Sequence, residues 1–79
     1  MNFVYVLKSL RDNKRYVGLT NHLERRLHEH NSGKVKSTKY RAPFNLIYFE
    51  EFENRSEAAE REKLFKTGKG REFLKNIGK

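Results

Sequence analysis

Asn2-Phe3-Val4-Tyr5-Val6-Leu7-Lys8 and, after a polar turn, Arg15-Tyr16-Val17-Gly18-Leu19-Thr20 are the two segments on which the fold turns. The first has β-branched and aromatic residues at both parities, the pattern of a strand covered on both faces. Between them, Leu10-Arg11-Asp12-Asn13-Lys14 carries Asp12-Asn13, a dipeptide that tolerates left-handed backbone and closes hairpins. An odd-sum register, as a two-residue Asp12-Asn13 loop gives, puts Tyr5, Leu7, Tyr16 and Gly18 on one sheet face. Glycine inside a strand weakens it. Gly18 therefore marks either a simple bulge beside two ordinary strand tyrosines or a place where something approaches the backbone closely.

Downstream, Asn21 with Glu24 reads as a capping-box pair opening a helix that runs to about Asn31 and stops at Ser32-Gly33. Leu23, Leu27 and His30 recur at i, i+4 and i+7 as its buried stripe. Residues 32–43 bring Lys34, Lys36, Lys39 and Arg41 together with Ser, Thr, Gly and Pro43, an exposed basic loop. Phe44 to Phe52 is a third strand around Leu46-Ile47-Tyr48-Phe49. Asn54 or Ser56 caps a second helix over about 56–67, Thr67-Gly68-Lys69-Gly70 interrupts it, and Arg71 to Ile77 forms a last short helix. The expected order is β-β-α-β-α-α. The fold class is α+β, a small three-stranded antiparallel-containing sheet flanked by helices, because a leading hairpin excludes a doubly wound parallel fold.

The 79 residues fit one domain, 1–79. A chain of this length buries only about 60% of its unfolded surface, so its core is thin. Hydrophobic residues make up 35% and the mean hydropathy is −0.99, but ten Phe and Tyr argue against disorder. With no cysteine there is no disulfide, thiolate nucleophile or thiolate metal site. The longest apolar run, Phe3 to Leu7, is too short to span a membrane. No secretory signal pattern opens the chain, so a soluble cytoplasmic protein is expected. Eighteen Lys and Arg against ten Asp and Glu give a net charge of +8, which favours a polyanionic partner, nucleic acid first.

Few residue types that do chemistry stand at inward positions. Arg26 lies three residues after Leu23 and four before His30, at one edge of the apolar stripe. It either snorkels over a small core or offers its planar fork to a phosphate. His30 alone reads as a hydrogen-bonded histidine at a helix end. His22 and His28 read as solvent residues, and three histidines without matching carboxylates do not make a zinc site. Ala58, Glu62 and Phe65 fall at i, i+4 and i+7, so a carboxylate lies on or beside the buried face of the second helix. Burying a charge costs several kcal/mol unless it is paired or metal-bound. Glu62 therefore has either a basic neighbour or a divalent ion such as Mg²⁺, which takes one or two carboxylates and keeps several waters. Around the 33–41 loop, Arg25, Lys34, Lys36, Lys39 and Arg41 are either solvated charge or contacts to a nucleic-acid backbone. Lys14 and Arg15, at the hairpin tip, serve solubility or binding equally well.

These same residues resemble the GIY-YIG nuclease family. Phe3-Val4-Tyr5 stands where the family has its first tripeptide and Tyr16-Val17-Gly18 where it has its second, with ten residues between them. The resemblance continues through Thr20, Asn21, Leu23, Arg26, Leu27 and His30, and resumes over Arg55 to Lys66 around Ala58 and Glu62. Phe3 replaces the family's first Gly, and Asn76 does not match the offset of the family's C-terminal Asn. The likeness is to small stand-alone bacterial members, themselves similar to the nuclease module of the nucleotide-excision excinuclease, which implies a DNA-repair setting.

What the resemblance implies is a metal-dependent DNA endonuclease of low sequence specificity working with one ion, Mg²⁺ or Mn²⁺. Tyr5 would be the general base toward water, or orient it, and Tyr16 would position water or phosphate. Arg26 would neutralise transition-state charge. His30 would hydrogen-bond in the cluster or relay a proton, and Glu62 would hold the metal. DNA is the expected partner, with RNA a second candidate, and a protein partner could supply target specificity. No membrane role is expected. The alternative is a catalytically idle nucleic-acid-binding module on the same fold.

Overall fold

A computed structural model describes residues 1–77. The elements are β1 (Asn2–Ser9), β2 (Arg15–Thr20), α1 (Leu23–Asn31), a 3₁₀ turn (Lys39–Arg41), β3 (Phe44–Phe52), α2 (Arg55–Phe65) and α3 (Gly68–Lys75). This is the α+β order expected from the sequence, and all three strands are antiparallel in the spatial order β2-β1-β3. The first strand is thus central, as its two-faced apolar pattern requires. Val4 and Val6 pack on one side with Ala58, Phe65 and Leu74 from α2 and α3. Tyr5 and Leu7 pack on the other with Phe44, under Leu23 and Leu27 of α1. Each such side chain contributes roughly 1.5–3 kcal/mol when fully buried.

The hairpin is longer than the two-residue loop expected. Ser9 and Lys14 close it, with Ser9 N–H donating to Lys14 O at 3.0 Å, and Asn13 takes the left-handed conformation at φ 63°. Register parity is unchanged: Tyr5 faces Gly18 and Leu7 faces Tyr16. The loop stays longer because the buried Ser9 hydroxyl accepts from the Arg11 and Asp12 amides at 3.1 and 3.2 Å. Arg41 also fastens this tip, its Nε pairing with Asp12 Oδ2 at 2.7 Å and its Nη2 donating to Lys14 O at 3.2 Å.

Two helix boundaries differ from the sequence reading, and at a third the structure selects one of the two caps it offered. The Asn21–Glu24 capping box does not form. Thr20 Oγ1 accepts from His22 N–H at 3.1 Å, which carries the turn one residue on. His22 becomes the cap, its Nδ1 accepting from Arg25 N–H at 3.4 Å. Asn54, not Ser56, caps α2, accepting from Ser56 N–H at 2.7 Å. Thr67-Gly68-Lys69-Gly70 is the first turn of α3 rather than a break before it. Thr67 caps that turn by accepting from Gly70 N–H at 3.3 Å. Gly70 is required by packing, since a Cβ there would collide with the Leu64 carbonyl and the Phe65 backbone.

The 32–43 loop is exposed at Lys34, Lys36 and Lys39, as expected, but Thr38 is fully buried. Asn31, the last residue of α1, ties this region to β3: its Oδ1 accepts from Phe44 N–H at 2.6 Å and its Nδ2 donates to Phe44 O at 3.3 Å.

Candidate active site

The site grows from Gly18. Tyr5 lies opposite it in the register, and the Tyr5 ring lies across it so closely that a Cβ at Gly18 would overlap the phenol carbon and oxygen. Of the two sequence readings of this glycine, close approach is the one the structure bears out, and the approaching group is Tyr5 itself. The Tyr5 hydroxyl reaches His30 Nε2 at 2.9 Å, and His30 Nδ1 meets Thr38 Oγ1 at 2.7 Å. Tyr16 completes the aromatic group, with ring centroids 6.4 Å from Tyr5 and 5.1 Å from His30, and Phe44 closes it 5.8 Å from His30.

Arg26 comes to this group from α1, and the Glu62 charge on α2 bears on it from farther off. Burial raises the Tyr5 phenol pKa, Arg26 opposes that as a hydrogen-bond donor and a positive charge, and the Tyr16 and Glu62 charges raise it further. Tyr5 therefore rests protonated at neutral pH. Arg26 is partly exposed and pairs with Glu29 at 3.1 Å. An exposed pair of this kind is worth only about 0–1 kcal/mol, so Arg26 can turn to an incoming anion. Its pKa is raised, first by Tyr5 and then, against its burial, by Glu29.

Glu62 is half-buried at 24% side-chain exposure and meets Lys66 Nζ at 3.3 Å, one turn along α2. The basic neighbour weighed from sequence is thus present, but it is 58% exposed and releases the carboxylate at small cost. Arg61 next to it fixes the rotation of α2. It grips Glu50 through two nitrogens at 2.7 and 3.1 Å and stacks over Phe65 at 4.6 Å. No group of three or more His, Asp or Glu able to hold a metal occurs among the described residues. A lone carboxylate such as Glu62 is of the kind that could hold a hydrated Mg²⁺ or Mn²⁺, which takes one or two carboxylates and keeps several waters.

His30 is fully buried, which pushes its pKa down to about 4, with the Arg26 charge adding to the effect. It is neutral at physiological pH, so its nitrogens orient Tyr5 and Thr38 rather than store a proton. The unfolded chain binds a proton near pH 6.5 that the folded chain refuses until about pH 4. Stability is therefore full above about pH 6.5 and falls as the pH drops through that window. The loss should reach about 2 kcal/mol at pH 5. Urea unfolding of the wild type and His30→Gln between pH 7 and 4.5 checks this: the slope should be present in the first and flattened in the second. Equal pH dependence in both would contradict it.

Of the five sequence candidates, Tyr5, Tyr16 and His30 meet around Gly18, and Arg26 bears on the Tyr5 phenol from α1. Glu62 lies on α2, where its side-chain partner is Lys66. Thr38 was missed, since a threonine among lysines in a loop carries no periodic signal. Asn76 is the exposed C-cap of α3, and its side chain donates to Glu72 O at 3.4 Å. A second group missed from sequence is a cleft of about 550 Å³ beside Tyr16, between the β2 edge and the ends of α2 and α3.

Comparison with known proteins identifies the family. A family model described as the GIY-YIG catalytic domain matches residues 1–76. A UPF0213 protein of Clostridium perfringens is 49% identical over 67 residues, covering 84% of this chain and 71% of the relative. A UPF0213 protein of Staphylococcus haemolyticus is 43% identical over 77 residues, covering 96% and 93%. The solution NMR structure of a UPF0213 protein from Bacillus halodurans is similar at a TM-score of 0.57 and 36% identity, over 94% of this chain and 82% of that one.

Proposed function

Since this chain belongs to the GIY-YIG family of nucleases, we propose that it is a metal-dependent endonuclease that hydrolyses DNA phosphodiester bonds with one divalent ion and little sequence selectivity. The observation that supports the reading is the buried cluster at Gly18, where the Tyr5 phenol lies across the glycine and meets His30, with Tyr16 packed on the same imidazole.

In this mechanism Tyr5 receives the attacking water through its phenol oxygen. His30 holds the phenol in place by the 2.9 Å contact and is itself held by Thr38. Because burial raises the Tyr5 pKa, the minor phenolate population is the form that takes the water's proton. Tyr16, packed against the same imidazole, orients the water or the phosphate. Arg26 leaves Glu29 and places its planar fork on the phosphate, where negative charge grows in the transition state. Glu62 would hold Mg²⁺ or Mn²⁺, and the chemistry supplied there is Lewis-acid neutralisation at the phosphate. The products expected are 5′-phosphate and 3′-hydroxyl ends.

Exposed Arg25, Lys34, Lys36 and Lys39 would track the duplex backbone. Arg41, fastened to Asp12, would act by holding their loop in place. Such phosphate contacts carry no base information, which is why low selectivity is proposed, with a protein partner as the source of any targeting.

The test is nicking of a supercoiled plasmid by purified protein. Cleavage should need Mg²⁺ or Mn²⁺ and stop with EDTA. Arg26→Ala should slow it by about 10²–10³-fold while DNA binding at fixed salt changes little. No cleavage of duplex, single-stranded or branched DNA, with binding intact, leaves the idle binding module as the reading.

A further inference from the structure

The cleft beside Tyr16 is lined by Lys14, Arg15, Lys66, Arg71 and Lys75 and, among the described residues, by no carboxylate. Its apolar lining is Tyr16 and Val17, both part-exposed, over the buried edges of Phe65 and Leu74. Of the five cations only Lys66 is ion-paired among the described residues, and its partner is Glu62. The cleft thus has Tyr16 in its wall and, at Lys66, a residue that is ion-paired to the proposed metal-holding carboxylate.

Its size decides the occupant. A volume of about 550 Å³ lies in the ~300–1,000 Å³ range that encloses a drug-sized molecule. That admits a nucleotide or two and excludes a duplex. A base packed against Tyr16 and Val17 inside it must be unpaired. The cations along the rim sit where its flanking phosphates pass. An apolar and aromatic bed within a positive groove is the arrangement that holds single strands without reading sequence.

We propose that this cleft binds the unpaired strand of the substrate next to the scissile phosphate, so that the chain prefers DNA with a single-stranded segment at the cut. This rests on the nuclease reading and adds to it a substrate form and a surface distinct from the Arg25 and 34–39 cations. Arg71 and Lys75 lie on exposed positions of α3, away from Tyr5, Arg26 and Glu62 in sequence, and act here as binding and not catalytic groups.

The test is fluorescence anisotropy of the full chain, in EDTA, with labelled oligothymidine, an abasic oligonucleotide of equal length, and a duplex. In Arg71→Gln/Lys75→Gln, oligothymidine binding at 0.1 M salt should weaken about 10-fold or more, and its log–log salt slope should fall by about 1.4. Duplex binding should change by less than about 3-fold. The abasic strand, equal in charge, should bind the wild type at least about 5-fold more weakly than oligothymidine. An unchanged slope in the variant, an equal loss for duplex and single strand, or equal binding of abasic and thymidine strands overturns the proposal. Because nothing is cut in EDTA, a chain that binds this way but never cleaves sinks the hydrolase reading alone. One that cleaves but ignores these substitutions sinks the cleft alone.

Discussion

Glu62→Gln should lose cleavage by on the order of 10³-fold or more at saturating Mg²⁺ while keeping its fold and its affinity for DNA. Glutamine has the shape of glutamate without its charge, so the α2 face is still filled. The ion pair given up with Lys66 is exposed on one side and worth little. A change of about 0.5 kcal/mol or less, hence a Tm shift within about 4 °C, is expected. The activity loss is large because Glu62 is the proposed metal ligand and belongs to no group of three or more His, Asp or Glu among the described residues. Single-turnover cleavage across a Mg²⁺ titration is the measurement. Retention of cleavage within about 10-fold of wild type would remove Glu62 from the chemistry and with it the one-ion mechanism.

Gly18→Ala should be damaging out of proportion to one methyl group. The added Cβ would overlap the Tyr5 phenol, with the ring carbon Cε1 at 2.9 Å and two atoms nearer still. Tyr5 is 1% exposed and held at its hydroxyl by His30, so the ring cannot swing aside without breaking that contact. Overpacking of this kind costs about 1–3 kcal/mol, and a reacting group displaced by about 1 Å costs about 10²-fold in rate. Gly68→Ala provides the contrast, because nothing lies within 4 Å of a Cβ there. It should leave both Tm and cleavage close to wild type. If the two substitutions prove equally mild in thermal unfolding, the Tyr5–Gly18 contact is not a constraint.

Much of the site could be read before any coordinates, because its residues obey local periods. Odd-sum pairing put Tyr5, Tyr16 and Gly18 on one face, and a longer hairpin loop left that parity intact. Helical spacing put Arg26 and His30 beside the Leu23–Leu27 stripe, and Glu62 between Ala58 and Phe65. Helix ends were less readable: Asn21 was the expected cap of α1 where side-chain geometry selects His22, and sequence left Asn54 and Ser56 both open for α2, where Asn54 is used. The glycines at 68 and 70 read as a break because composition does not say whether a glycine yields to flexibility or to a neighbour's backbone.

From its order of residues alone the chain dictates a central strand apolar on both faces, two amphipathic helices to cover it, and one acid at a position that helical geometry turns inward. Those features follow from backbone periods of two and 3.6 residues, which act over short stretches regardless of what lies far away. Three-dimensional packing was needed to bring Thr38 to His30, Arg41 to Asp12, and Lys14 and Arg15 across from Arg71 and Lys75. These partners are eight to some sixty residues apart in the chain. No local period relates such distances, and only the placement of α1, α2 and α3 on the sheet sets them.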